Sequence, residues 1–270
     1  MRKLYVITGG SGGMGIEIAK KLGEKGTVLL ADINEEKLTK AMDQLSLEGI
    51  KDVLIRKVDI TNQTQVQELA HETSELGELS AIVHTAGLSP TMAESKKIMQ
   101  VNLMGTSYVL NAFLKYANPG TVAICLASMG GHMVPKLGEY VKVLKNTSNP
   151  NILEEMENFT QGYSSAAYSL SKLGVMLMVE EQAWEWGQKG ARIVSISPGS
   201  FNTSMGKQEA EQQEEMASLL KNTPLGRFGE PTEIASLVNF LCSQDSAYIT
   251  GTDIRIDGGT VANIQRLKNL

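Results

Sequence analysis

The chain has 270 residues, 42% of them hydrophobic, enough for a large core and within the size of one α/β domain. Its formal net charge of −5 argues against a nucleic-acid backbone or an anionic membrane surface as partner, since either calls for a basic face. No apolar run approaches the roughly 18 residues of a membrane span, and the two cysteines, Cys125 and Cys242, lie in apolar runs outside any CxxC spacing, so we expect reduced thiols and a cytoplasmic protein.

Taken in order, the chain alternates strand and helix. Lys3 to Thr8 is an apolar, β-branched run that stops at Gly9-Gly10-Ser11-Gly12-Gly13-Met14-Gly15, after which Ile16, Ala19 and Leu22 take helical spacing. Strand, glycine turn and helix in that order suit a pyrophosphate, which approaches bare N–H groups at a helix N-terminus; a glycine string can also be only a turn. A second strand, Thr27 to Ala31, ends in Asp32, close to the distance of about 20 residues at which an acid meets an adenosine ribose. A carboxylate there repels a 2′-phosphate, and neither Ile33 nor Asn34 supplies a cation to offset it, which favours NAD over NADP. The competing job for Asp32 is capping the helix that starts near Glu35.

Strands are predicted near 53–58, 80–84 and 121–127, with helices over 63–76 and 93–116, a pattern that means a parallel sheet covered on both faces. Asp59-Ile60 ends the third strand, where such sheets bind ligands or simply cap a turn. Ala86-Gly87 follow the fourth strand, Asn102 sits within a helix, and Ser128 lies just past the fifth strand. From 129 to 160 the alternation breaks into a stretch with Pro135, Pro150 and two short amphipathic pieces, which reads as a lid or an interface. Val134, Leu137, Val141 and Leu144, with Phe201 and Met205 further on, suggest an apolar pocket, or else a subunit interface.

The next helix, expected to run to about Lys189, carries Tyr168-Ser169-Leu170-Ser171-Lys172, with Ser164 and Ser165 placed to cap it. Residues four apart share a helix face, so the Tyr168 phenol and the Lys172 ammonium project together. A positive charge favours the phenolate, which makes this tyrosine a candidate acid or base. A strand over 192–197 leads to Pro198-Gly199 and Thr203, then comes a polar helix over 207–221, a helix opened by Pro231, and a last strand and turn at 253–259. The three histidines, His71, His84 and His132, are scattered, and no metal-ligand spacing is present.

These ordered motifs resemble the short-chain dehydrogenase/reductase family over essentially the whole chain. The resemblance implies a single-domain Rossmann-type, doubly wound parallel sheet, with the stretch near 129–160 as an insertion. It implies a cofactor turn at Thr8, Gly9, Ser11, Gly13, Met14 and Gly15, the acid of NAD use at Asp32 with Ile33 beside it, and the adenine side at Asp59 and Ile60. Ala86-Gly87, Pro198-Gly199 and Thr203 match further cofactor contacts. Asn102, Ser128, Tyr168 and Lys172 match the catalytic four, with Tyr168 and Lys172 also holding the cofactor. Thr85 departs from the family asparagine, although its hydroxyl can still hydrogen-bond. Ser128 lies 40 positions before Tyr168 instead of about a dozen, so the insertion must loop out; Ser164 and Ser165 are the alternatives by proximity. The long spacing is similar to that of bacterial 3α-hydroxysteroid dehydrogenase/carbonyl reductases.

The resulting expectation is an NAD-dependent enzyme, a homodimer or homotetramer built through the tyrosine helix, acting on a small secondary alcohol or ketone with apolar, steroid-like bulk. A redox sensor that keeps NAD without turnover, and an isomerase or epimerase with bound NAD, are the competing readings.

Overall fold

In the computed structural model, which describes residues 2–203 and 221–268, apolar runs β1 (Lys3–Thr8), β2 (Thr27–Asp32), β3 (Val53–Lys57), β4 (Glu78–His84), β5 (Val122–Leu126), β6 (Arg192–Pro198) and β7 (Thr252–Ile256) pair in parallel. Their order is β3-β2-β1-β4-β5-β6-β7. The chain winds outward from β1 to β3, then returns to start the other half at β4. Between β1 and β4 the connections therefore leave in opposite directions, which opens a crevice at their carboxyl ends. Thr8 and His84, the last residues of those two strands, are register partners at its floor.

Alternate residues of each strand feed opposite layers, as a two-faced sheet requires. Tyr5 and Ile7 of β1 join α1 (Gly13–Gly23), α2 (Glu35–Leu47) and α10 (Pro231–Leu241), whereas Leu4 and Val6 face the layer of α3 (Gln63–Leu76), α4 (Ser95–Met99), α5 (Thr106–Leu114) and α8 (Ser164–Glu181). From Leu170 to Val179 every residue of α8 is buried, because the sheet covers one side and helices cover the others.

The stretch after Ser128 is neither structureless nor free-standing. It forms a short 3₁₀ turn (Met129–Met133) followed by α6 (Glu139–Lys145) and α7 (Ile152–Thr160). Their apolar residues Leu144, Ile152 and Met156 are buried in the α8 core layer, and Leu144 with Leu103 crowds the bare backbone of Gly174. Leu144 therefore packs instead of lining a pocket, and Leu137 stands exposed.

Four further expectations change. The tyrosine helix ends at Glu181, and a separate α9 (Ala183–Gln188) follows after Gln182. Ser164 does not cap α8: Tyr163 holds the cap position, and Ser164 Oγ donates to the Ala93 carbonyl at 3.0 Å. The chain continues past the last turn into α11 (Thr260–Lys268), whose start is held by Asp257 through Gly259 N–H at 2.9 Å and Val261 N–H at 2.9 Å. The predicted helix from 93 to 116 is broken by a π-helical segment, Gln100–Gly105, between α4 and α5. The polar helix expected over 207–221 and the side chain of Met205 fall outside the described residues, apart from Lys221.

Candidate active site

The glycine turn bends back on the crevice. Gly9 adopts φ +70°, and a β-carbon there would stand 2.6 Å from the Ala86 backbone nitrogen, so only a residue without a side chain lets β1 and the segment after β4 touch. Gly12 N–H donates to the Gly9 carbonyl at 3.0 Å, and Gly12 itself heads α1 with no side-chain cap and no acid in its first turn. The first N–H groups of α1 thus meet neither a capping side chain nor a competing carboxylate, the condition an incoming phosphate needs.

Thr85, the departure from the family asparagine, staples this turn: its hydroxyl lies 2.8 Å from the Thr8 carbonyl and 3.2 Å from that of Gly9. Asp32 closes the other side. Its carboxylate accepts from Ser11 Oγ at 2.7 Å and from Asn34 N–H at 3.2 Å, while the α2 cap is Asn34, not Asp32. The acid is thereby held beside the glycine turn. Ile33 is 60% exposed next to it. Asp59 spends one carboxylate oxygen on Thr61, from N–H at 2.8 Å and Oγ1 at 2.7 Å, and Ile60 packs where Gly105 leaves room in the π segment.

On the far wall, Lys172 is buried and donates to the Leu126 carbonyl at 2.8 Å, where β5 ends. Burial pushes its ammonium down to about 8, against a smaller opposing pull from Cys125. Its Nζ lies 5.8 Å from the centre of the Tyr168 ring, the proximity expected of i and i+4 on one helix. Gly87 backs onto this group, for a β-carbon there would stand 3.2 Å from Asn102 Oδ1 and 3.3 Å from Lys172 Nζ.

Asn102 is clamped by the backbone of Leu88. Its Oδ1 accepts from Leu88 N–H at 2.8 Å, and its Nδ2 donates to the Leu88 carbonyl at 3.0 Å and to Ser171 Oγ at 3.3 Å. Ser128, 40 positions before Tyr168 in sequence, is beside it in space. Both Ser128 Oγ and the Tyr168 ring edge come within 3.5 Å of the point a Gly130 β-carbon would occupy. Gly130 N–H donates to Ser128 Oγ at 3.1 Å, which leaves the serine proton for another acceptor.

The segment after β6 completes the enclosure. Gly199 N–H donates to the Ile256 carbonyl at 2.9 Å next to Pro198, and the Thr203 methyl reaches 3.8 Å from the β-position of Gly13. The structure therefore brings the glycine turn, Asp32, Gly87, Asn102, Ser128, Tyr168, Lys172 and Thr203 around one crevice, with Asp59 turned into its own loop. Sequence reasoning missed His84, Thr106 and Gly130. Of these only Gly130 carried a readable signal, two residues past the serine.

Comparison with known proteins agrees with this geometry. A sequence profile described as short chain dehydrogenase matches residues 3–140, about half the chain, and a second, described as Enoyl-(Acyl carrier protein) reductase, matches 155–261. The chain belongs to the short-chain dehydrogenase/reductase family. Members from Alternaria brassicicola (32% identical over 262 residues, 95% of each chain) and Botryotinia fuckeliana (34% over 263 residues, 95% and 96%) are among its relatives. Among solved structures, levodione reductase superposes with TM-score 0.78 at 28% identity, covering 96% of this chain and 98% of its own. A Pseudomonas aeruginosa RhlG complex with NADP gives 0.74 at 26%, covering 96% of both. Between the two profiles, residues 141–154 go unmatched, within the α6–α7 stretch. The family is one of oxidoreductases acting on CH–OH or carbonyl groups with NAD(P).

Proposed function

We propose that this chain is an NAD-dependent dehydrogenase/reductase that interconverts a secondary alcohol and its ketone. One observation carries the reading: Tyr168, Lys172, Ser128 and Asn102 converge on the carboxyl ends of β4 and β5, across the crevice from the glycine turn. The uncapped start of α1 and the Asp32 carboxylate fit a dinucleotide, with Gly13, Gly15 and Ser11 along its phosphates and Asp32 on its ribose. Bound there, NAD(H) supplies the hydride acceptor or donor.

The residues of the chain handle the proton and the oxygen. In ketone reduction Tyr168 gives its phenolic proton to the carbonyl oxygen, and in alcohol oxidation it removes that proton. The Lys172 ammonium beside it stabilises the phenolate and, through the same charge, holds the nicotinamide ribose. Ser128, with its oxygen already engaged by Gly130 N–H, points its own proton to the reacting oxygen. Asn102 holds Leu88 and lies with Lys172 at Gly87, where it supports the passage of protons from Lys172.

Asp32 favours NAD because its negative charge opposes a 2′-phosphate, although a solved relative is an NADP complex. For the substrate, relatives are named diacetyl reductase (Staphylococcus epidermidis) and levodione reductase, both reductases of ketones. Of the apolar side chains expected to line a pocket, Leu144 and Phe201 pack inside the fold and Leu137 stands exposed, so the support lies with a secondary alcohol or ketone, and hydroxysteroids belong in the assay panel beside small diketones.

The test is initial-rate turnover of that panel by wild type and Tyr168→Phe, with NAD(H) and NADP(H) in parallel. The variant is expected to lose about 10³-fold in kcat while still binding NADH, since a positioned proton donor contributes about 10²–10⁴-fold. Near-normal turnover by the phenylalanine variant would refute the assignment of the proton donor.

A further inference from the structure

His84 has no part in the mechanism above, yet it is buried at the floor of the crevice with both ring nitrogens engaged. Nδ1 lies 2.6 Å from Thr8 Oγ1, and Nε2 lies 3.0 Å from Thr106 Oγ1, which itself lies 2.6 Å from the Asn102 carbonyl oxygen. Chemistry fixes the direction of this chain from one end. A carbonyl oxygen only accepts, so Thr106 donates to Asn102, and the Thr106 oxygen is left to accept. His84 Nε2 must then carry a hydrogen, and in a ring that burial keeps neutral this leaves Nδ1 bare for the Thr8 hydroxyl to donate into.

The result is a neutral imidazole in one tautomer, with every donor aimed from β1 toward the π segment. Around the ring stand the Lys172 ammonium on α8 and the Cys125 thiol on β5, its register partner. Burial in the first place, and the Lys172 charge after it, disfavour protonation of the ring.

These hydrogen bonds join two parts of the crevice, beside the link that the segment after β4 makes through Thr85 and Leu88. Thr8 begins the glycine turn, and Asn102 sits in the π segment, where its amide reaches Ser171 and its Oδ1 shares the Gly87 pocket with Lys172. A π segment inside an α-helix is rare and is frequent at functional sites, and here the Thr106 hydroxyl adds a side-chain bond to the carbonyl of its residue Asn102.

We propose that His84 is a positioning residue for proton transfer, fixing the Asn102 carbonyl, and with it the seat of Lys172, relative to the cofactor turn through the Thr8–His84–Thr106 relay. This rests on the dehydrogenase reading. It predicts that the donor on Nε2 matters more than the bulk of the ring. His84→Gln keeps an amide N–H near the Nε2 position, whereas His84→Phe keeps the volume and removes both polar atoms. Thr106→Val removes the relay hydroxyl at nearly constant shape.

The experiment pairs steady-state kinetics of these variants with ¹⁵N NMR of the histidine rings in the wild-type protein. The wild-type spectrum is expected to show His84 as the neutral Nε2–H form from pH 5 to 8. His84→Phe and Thr106→Val are each expected to lower kcat about tenfold, the scale of one lost buried hydrogen bond, with the KM for NADH nearly unchanged. The double variant is expected to fall no further than the worse single one, because both break the same chain, and His84→Gln is expected to restore most of kcat.

A charged ring, an Nδ1–H tautomer, multiplying effects, or folded variants with wild-type kcat would each overturn the proposal. Absence of wild-type turnover with every alcohol and ketone would instead bring down the dehydrogenase reading and this proposal with it. The two failures are therefore distinguishable.

Discussion

His84 makes a stability prediction that needs no substrate. Its imidazole is pushed down to about 3 from an ordinary 6.5, first by burial and then by Lys172. The unfolded chain therefore binds a proton that the native state refuses between those values. Stability contributed by the neutral ring is complete above pH 6.5 and is lost as pH falls toward 3, by about 1.4 kcal/mol per pH unit across that window. Denaturant titrations of His84→Gln are expected to show a shallower decline over the same range than wild type; parallel declines would mean that other groups set the acid limb. Asp32 makes the second residue-scale prediction. If it holds the ribose as proposed, replacing it with alanine removes a charge-assisted hydrogen bond worth about 1.5–3 kcal/mol, so kcat/KM with NAD is expected to fall about tenfold or more. With NADP it is expected to rise, since the repelling charge is gone. If both cofactors lose equally, Asp32 is holding Ser11 and the turn, not choosing the nucleotide. At this scale the sequence was most readable where chemistry follows local spacing: Tyr168 and Lys172 are one helical turn apart. It was opaque for His84, whose partners Thr8 and Thr106 lie 76 and 22 positions away and leave no periodic trace.

At the scale of elements, periodicity located the helices but not their defects. The interruption at Gln100–Gly105 arises from tertiary demands: Leu88 pins the Asn102 side chain, and Ile60 fills the space at Gly105. Neither contact is visible in a hydrophobic pattern. The break at Gln182 and the helix α11 were missed for a related reason, since α11 is short and only Thr260 and Val261 of it are buried. The stretch after Ser128 shows the opposite case. Its two amphipathic pieces were legible as helices, but what they cover was not. Leu144 is buried against Leu103 and Gly174, so Leu144→Ala is expected to destabilise the protein by about 2–5 kcal/mol in thermal or chemical unfolding. By contrast Lys145, beside it on α6, forms a half-exposed pair with Glu181 of α8, and Lys145→Ala is expected to cost under about 1 kcal/mol. An equal loss in both variants would mean that α6 is held by its charges.

At the scale of the whole molecule, the alternation of strand and helix was enough to read a parallel sheet, because apolar runs separated by amphipathic helices have few other ways to bury both faces. The order of the strands was not legible from periodicity, which says nothing about which edge a strand joins; the family motifs implied a doubly wound sheet and no more. The distance between Ser128 and Tyr168 is resolved by the same architecture. Strand β5 delivers the serine to the crevice, the 3₁₀ turn brings Gly130 under the tyrosine ring, and α6 and α7 then run across the outer side of α8 before the chain re-enters it. Those two helices thus act as a cover for α8, with Leu144, Ile152 and Met156 buried and with Ser95 Oγ of α4 2.9 Å from Thr160 Oγ1. This has a consequence that a substrate lid does not share. Replacing residues 139–160 by a short glycine-serine linker removes the cover and exposes an apolar stripe of α8 and of the π segment around Gly174 and Leu103. Apolar patches of that kind drive association. Sedimentation of the variant is expected to show a larger species, or loss of soluble protein, together with a lower melting temperature. A lid would leave assembly and melting as in the wild type and shift only the substrate KM, and that result would return the segment to the active site.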